Sequence, residues 1–199
     1  MSVRVFAEGG GDRAETKAAL RAGFGKLFSK IAPSGSIKVV VCGGRSQTIR
    51  DFRIAVRNAA HADHLVILLD SEEPLAETVG IWAHLKRRDR CDCPAEVGEE
   101  NAGLMVMCME SWFLADAEIL QEFYGQMFGT NALPGRINVE EIPKGQVQSA
   151  LERATRNTQK GSYHKTKHGP KILELLRPAK VRERSAHFAR LCDIIERYA

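Results

Sequence analysis

The 199-residue sequence predicts an α/β fold: a central, mostly parallel four-stranded sheet flanked by helices, with a helical, basic C-terminal extension. Three observations carry this. Short runs of apolar and β-branched residues, each bounded by turn-forming residues, read as strands buried in a parallel sheet. Those runs alternate with helical stretches, which argues for right-handed β-α-β crossovers. A hydrophobic content of 44% at this length is enough for one compact core.

In chain order, Val3–Ala7 is the first expected strand. A helix from Arg13 to about Ile31 follows, with apolar positions at Ala18, Ala19, Ala22, Leu27 and Phe28, and Pro33-Ser34-Gly35 stops it. Ile37–Val41 is the second strand, ended by Gly43-Gly44, and Thr48–Ala60 the second helix. Leu65–Leu69 forms the third strand, and Pro74 starts a helix through about Arg88. Gly103–Met109 is the fourth strand, after which Ser111 caps a helix running to about Tyr124. Asn131 to Pro143 reads as loop. Further helices are expected from Gly145 or Gln146 to Thr155, from Gly169 to Leu176 and from Pro178 to Tyr198. Residues 1–130 would form the α/β core, with 131–199 packed on it within the same domain.

Open α/β sheets bind ligands at the carboxyl ends of their strands. Glu8 ends the first strand and is followed by Gly9-Gly10-Gly11, and the third strand delivers Asp70-Ser71-Glu72 to an equivalent end. Carboxylates at two strand ends make a cradle for a hard divalent cation such as Mg²⁺, which takes carboxylate oxygens plus water and substrate phosphate. The residues therefore point to phosphoryl-transfer chemistry.

Charge is unevenly spread along a chain whose net charge is +4. No Lys or Arg occurs from Cys91 to Gly135, whereas Lys144 to Arg190 holds twelve of them against three acids. A basic C-terminal third that also carries His164, His168 and His187 suits a polyanion such as nucleic acid. No stretch approaches the roughly 20 apolar residues of a membrane span, and entry into a strand at Val3 leaves no room for a signal peptide. Five scattered cysteines do not form a disulfide framework. A cytoplasmic protein without membrane contact is expected. Cys91-Asp92-Cys93 with His84 lacks the paired spacing of a structural zinc site, so buried thiols are expected there.

Gly9-Gly10-Gly11-Asp12-Arg13-Ala14 matches the loose pattern G-x-G-x-x-G/A of dinucleotide sites. That site needs an acid ending the second strand, where this chain has Cys42-Gly43-Gly44, and Glu8 would repel a pyrophosphate. The glycines fit better as a tight turn that lets a metal-bound phosphate approach backbone amides at a helix N-terminus. No P-loop G-x-x-x-x-G-K-[ST] occurs, so the chain is not itself a P-loop ATPase.

Glu8 before glycines, with Asp70-Ser71-Glu72 after a hydrophobic strand, resembles the TOPRIM signature of topoisomerases, primases and overcoming-lysogenization-defect nucleases. Met109-Glu110-Ser111-Trp112-Phe113-Leu114-Ala115-Asp116, Gly43-Gly44-Arg45 before Ile49-Arg50-Asp51-Phe52-Arg53, and Lys160-Gly161-Ser162-Tyr163-His164-Lys165 before His168-Gly169-Pro170-Lys171 extend the likeness over nearly the whole chain. Together they resemble a group of short bacterial TOPRIM-like proteins of unknown function. Some of its relatives are nuclease toxins in phage defence, encoded beside an ABC-type ATPase. The resemblance implies that Glu8, Asp70 and Glu72 bind one or two Mg²⁺ or Mn²⁺ ions, with Asp-x-Glu in place of Asp-x-Asp. Glu8 is alternatively a general acid or base if neighbouring acids raise its pKa.

Glu110, expected at the end of the fourth strand, is either a capping partner for the following helix or a second-metal ligand. Asp116 is a weaker candidate, and Trp112, Phe113 and Leu114 read as core. Lys160, His164, Lys165 and Lys167 form the best basic group, with Lys165 favoured to stabilise charge on phosphate in the transition state. Arg45 is a candidate phosphate contact, beside Gly9, Gly10 and Gly11. The expected function is a Mg²⁺- or Mn²⁺-dependent nuclease acting on RNA or DNA, an effector of phage defence. The alternative is a non-catalytic subunit that docks on an ATPase encoded elsewhere. A homodimer would extend the basic surface.

Overall fold

The computed structural model describes residues 2–32, 35–58, 63–76 and 78–199. Strands β1 (Ser2–Glu8), β2 (Ile37–Gly43), β3 (Asp63–Asp70) and β4 (Ala102–Met105) form a sheet of order β2-β1-β3-β4, parallel at every pairing. The expected α/β class is therefore observed. The register pairs Ala7 with Leu68 across β1 and β3, so Glu8 and Asp70 leave the sheet at one edge.

Alternation along the strands sends successive side chains to opposite faces. Val3, Val5, Ala7, Val66 and Leu68 face one core, and Phe6, Leu65, Ile67 and Leu69 face the other. Helices α2 (Arg45–Asn58) and α3 (Ile81–Asp89) cover the second face through Phe52, Val56, Trp82 and Leu85. The first face is covered by α1 (Ala14–Phe28), α4 (Met109–Ala115), α5 (Ala117–Tyr124), α6 (Lys144–Thr155), α7 (Lys165–Leu175), α8 (Pro178–Arg182) and α9 (Ala186–Tyr198). Its core mixes Phe24 and Trp112 with Val147, Ile172, Phe188 and Leu191, so the C-terminal helices share the core of the N-terminal strands.

Several expected boundaries move. Residues 74–76 are not helical, and α3 begins only at Ile81, where the Glu99 carboxylate accepts the Ile81 N–H at 2.9 Å and the Trp82 N–H at 3.2 Å. That long-range cap is invisible in the local sequence. β4 stops at Met105, which puts Glu110 in the first turn of α4 and not at a strand end; Ser111 is the third residue of that helix and not its cap. The helix expected to reach Tyr124 breaks at Asp116, whose side chain accepts the Ile119 N–H and starts α5 afresh. Ser185 likewise caps α9 at the Phe188 N–H and separates it from α8. α7 starts four residues before Gly169, at Lys165, and carries Pro170 inside it. Short 3₁₀ turns occupy Thr130–Ala132, at the start of the expected loop, and Val139–Glu141 within it. The stop at Pro33-Ser34, the helix end at Ala60 and position 77 lie outside the described residues.

α7 packs directly on α1, and Gly23 makes this possible. A Cβ there would stand 2.6 Å from the Pro170 carbonyl oxygen and 3.2 Å from Leu173 Cβ. Lys30 Nζ then closes the pair by donating to the Glu174 and Leu176 carbonyls, at 2.7 and 2.8 Å, near the end of α7. Gly23→Ala should lower stability by about 1–3 kcal/mol through overpacking. Gly25→Ala meets nothing within 4 Å and should be neutral or stabilising, because alanine favours helix. Thermal unfolding of the two variants checks this; equal melting temperatures would contradict the packing argument.

Candidate active site

The sheet's carboxyl edge opens into a pocket of about 240 Å³. Glu8, Gly9, Gly10, Gly11, Asp70, Glu72 and Lys165 line it together, joined by Gly43, Gly44, Lys144 and Thr166. The three glycines after β1 run at φ +132°, +78° and +59°, a left-handed course that other residues adopt only at a cost. They lead the chain directly into α1 without a side-chain cap.

Asp70 is the most enclosed of the pocket acids, 5% exposed. Its Oδ1 accepts the Met109 N–H at 2.9 Å, and its Oδ2 stands 3.8 Å from Lys165 Nζ. Burial raises its pKa to about 7; Lys165 opposes the rise, while Glu110 and Glu8 add to it. Glu8 Oε2 accepts the Asp70 N–H and an Arg45 N–H, both at 3.2 Å. Its pKa is also raised, by burial first, with Arg45 pulling the other way. Glu72 adopts a left-handed φ of 66°. Its N–H donates to the Met107 carbonyl at 2.9 Å, which pins the turn to the loop after β4.

Arg45 does not hang free for a phosphate. Nε and Nη2 each donate to Asp89 at 2.7 Å, and Nη1 donates to the Asp70 carbonyl at 2.5 Å. The guanidinium thus braces β3, β1 and α3 together, a bidentate geometry that lysine could not supply.

Glu110 lies behind the pocket wall, 1% exposed. Its Oε1 accepts the Tyr163 hydroxyl at 3.1 Å and faces Lys165 Nζ at 3.4 Å. Lys165 is therefore shared by Asp70 and Glu110, and these acids raise its pKa although burial works against it. Tyr163 is held as a neutral donor, its pKa raised by burial and by Glu110.

Three expected basic residues do not line the pocket. Lys160 places Nζ 5.2 Å from the centre of the Phe123 ring, His164 Nδ1 faces Thr166 Oγ1 at 3.3 Å, and Lys167 is exposed. Asp116 is remote too, holding Arg177 through its N–H at 3.1 Å and Nε at 2.9 Å. Trp112, Phe113 and Leu114 are buried as expected, as are Cys42, Cys91 and Cys108, but Cys93 is exposed.

Two contributors escaped the sequence reading. Lys144, at the start of α6, reaches Glu72 Oε2 at 2.6 Å across 72 positions of chain, and no local motif marks it. Tyr163 sits inside the Lys160–Lys165 segment, so its neighbours drew notice and it did not.

The donor set is chemically right for a hard cation, all of it carboxylate oxygen. Glu110 Oε2 is moreover a buried oxygen without a hydrogen-bond partner. As the side chains stand, no three His, Cys, Asp or Glu among the described residues are grouped to hold one ion. Arg45, Lys144 and Lys165 supply the positive charge between the acids.

Because folding raises the Asp70 pKa from 3.8 to about 7, the folded state binds a proton there that the unfolded state releases. Stability is lost as pH rises through this interval. In metal-free buffer, Asp70→Asn should gain on the parent protein between pH 4 and pH 7, by on the order of a few kcal/mol. Urea unfolding at pH 4, 5.5 and 7.5 reads the difference, and a constant gap would refute it.

No helix among the described residues is long and apolar enough to cross a membrane. Neither a curated protein nor a solved structure matches the chain. A family model described as a domain of unknown function, DUF4276, matches residues 7–196, and with nearly its whole length covered the chain belongs to that family.

Proposed function

We propose that this chain is a TOPRIM-like, Mg²⁺- or Mn²⁺-dependent nuclease that hydrolyses phosphodiester bonds of RNA or DNA, acting in the cytoplasm as an effector of phage defence. The observation that carries the reading is the convergence of Glu8, Asp70 and Glu72 on one pocket at the sheet's carboxyl edge, with Lys165 on its wall. Glu8, Asp70 and Glu72, which do not yet stand close enough to share one ion, would draw together to hold it, with Glu110 Oε2, unpartnered behind the pocket wall, as the candidate for a second. Such ions supply Lewis acidity toward the scissile phosphate and make water more acidic.

The chain's own groups do the rest. Gly9, Gly10 and Gly11 present no side chain, so a phosphate reaches the backbone at the start of α1, where helix N–H groups favour an anion. Lys165 Nζ stabilises negative charge as it builds on the phosphate. Tyr163, donating to Glu110 Oε1, keeps that carboxylate facing Lys165. Alternatively to holding the ion, Glu8, whose pKa is raised by burial, accepts or returns a proton as general base or acid. Lys160, His164 and Lys167, exposed beyond the pocket, extend the basic surface along which a polyanion lies.

A second reading, a non-catalytic subunit docked on an ABC-type ATPase, is favoured by one observation: Glu8, Asp70, Glu72 and Glu110 each stand against a basic side chain. Incubation with labelled tRNA, single-stranded DNA and plasmid, under Mg²⁺, Mn²⁺ or EDTA, separates the two. Metal-dependent cleavage should fall by about 10²-fold or more in Asp70→Asn, the scale of losing a positioned charged group. Cleavage that survives both EDTA and the substitution would sink the nuclease assignment. Cleavage absent from the chain alone and from its complex with a co-purified ATPase would favour the docking subunit.

A further inference from the structure

We propose that Lys144 is a resident counter-ion of this pocket: its ammonium neutralises Glu72 until a divalent cation enters, and then passes to the substrate's phosphate. The passage of Lys144 to a phosphate rests on the nuclease reading; the exchange at Glu72 does not.

Lys144 is the first residue of α6. A cation is poorly placed at a helix N-terminus, where the macrodipole is already positive. The first turn of α6 holds no acid, and its N-cap, Pro143, makes no side-chain cap. Nothing in α6 itself therefore favours a lysine here. What holds it is Glu72 Oε2 at 2.6 Å, with the two side chains 29% and 28% exposed.

Among the described residues, the three basic groups paired with Glu8, Asp70 and Glu72 differ in how firmly they are tied. Arg45 is bracketed by both Asp89 oxygens and by the Asp70 carbonyl, and Lys165 lies between Asp70 and Glu110. Among the described residues Lys144 makes a single ion pair, to a single acid. It is the cation that leaves at the cost of one contact. Its partner is also the acid whose backbone is fixed in place, through the Glu72 N–H on the Met107 carbonyl, so Glu72 stays in the pocket wall when Lys144 departs. Because Lys144 lines the same pocket as Lys165, the released ammonium remains within reach of an anion bound there. No bond is made or broken; one positive charge replaces another on Glu72.

Calorimetric titration of Mn²⁺ alone into the full chain, at low ionic strength, tests this. Lys144→Gln removes the competitor and should bind Mn²⁺ about fivefold tighter than the parent, the scale of one partly exposed ion pair. Lys144→Arg keeps the competing charge and should bind as the parent does. Lys144→Met, which retains the stem without the charge, should behave as Lys144→Gln and serves if that variant unfolds. Unchanged or weaker Mn²⁺ binding in the uncharged variants overturns the proposal, and so does a failure of every variant to bind Mn²⁺. Tighter Mn²⁺ binding without nucleic-acid cleavage by any variant, alone or with a co-purified ATPase, overturns the nuclease reading and leaves the exchange at Glu72 standing. Cleavage with unchanged Mn²⁺ affinity overturns the counter-ion alone.

Discussion

A buried carboxylate at the end of a parallel strand is the constraint around which this molecule is arranged. Asp70 leaves β3 inside the protein, where an isolated charge is costly and is tolerated only with partners. Two neighbouring elements contribute partners: the chain after β4 turns so that the Met109 N–H reaches Oδ1, and α7 brings Lys165 toward Oδ2. β1 sends Glu8 to the Asp70 N–H, a backbone contact that fixes the two strand ends together while its acid adds to the rise of the Asp70 pKa. Arg45, at the head of α2, ties the Asp70 carbonyl and Glu8 to Asp89 at the end of α3. The ends of three strands and several helices are thus fixed relative to one carboxyl group.

The basic C-terminal region acquires its meaning from the same constraint. Its helices share the first-face core with β1 and β3, so α6 and α7 are held against the sheet and not merely attached beyond it. Gly23 permits α1 and α7 to approach closely, and the first turns of both helices reach the pocket through Thr16, Lys165 and Thr166. A half-exposed link, Asp116 on Arg177, and a buried one, Glu140 accepting from Ser185 Oγ at 2.5 Å and from the His187 N–H at 2.9 Å, hold parts of the remainder of this region. Charge that looks diffuse along the chain therefore divides into cations that serve the pocket, cations that brace helices and cations left to solvent.

Much of the fold was legible because strands and caps leave local signals. The runs Val3–Ala7, Ile37–Val41 and Leu65–Leu69 are mostly apolar and β-branched, and each lies within a parallel strand. Where the reading failed, a distant partner had decided the matter. The Glu99 carboxylate moves the start of α3 to Ile81, and Arg177 holds Asp116 at the break between α4 and α5. Among pocket residues, Glu8, Asp70, Glu72 and Lys165 were visible as types at telling positions, and Glu110 was named with its place in the fold misjudged. Lys144 was not visible at all, since only its contact with Glu72 distinguishes it from eleven other Lys and Arg between Lys144 and Arg190.

By itself the sequence determined the α/β class, the strand order along the chain and the delivery of carboxylates to strand ends, because periodicity and turn residues act over a few positions. Tertiary structure decided which charges meet. Arg45 became a brace and not a free phosphate contact because Asp89 lies beside it, and Lys160, His164 and Lys167 stayed outside the pocket while Lys165 entered it. Pairing between charged groups depends on distance and burial, and neither quantity exists until the chain has folded.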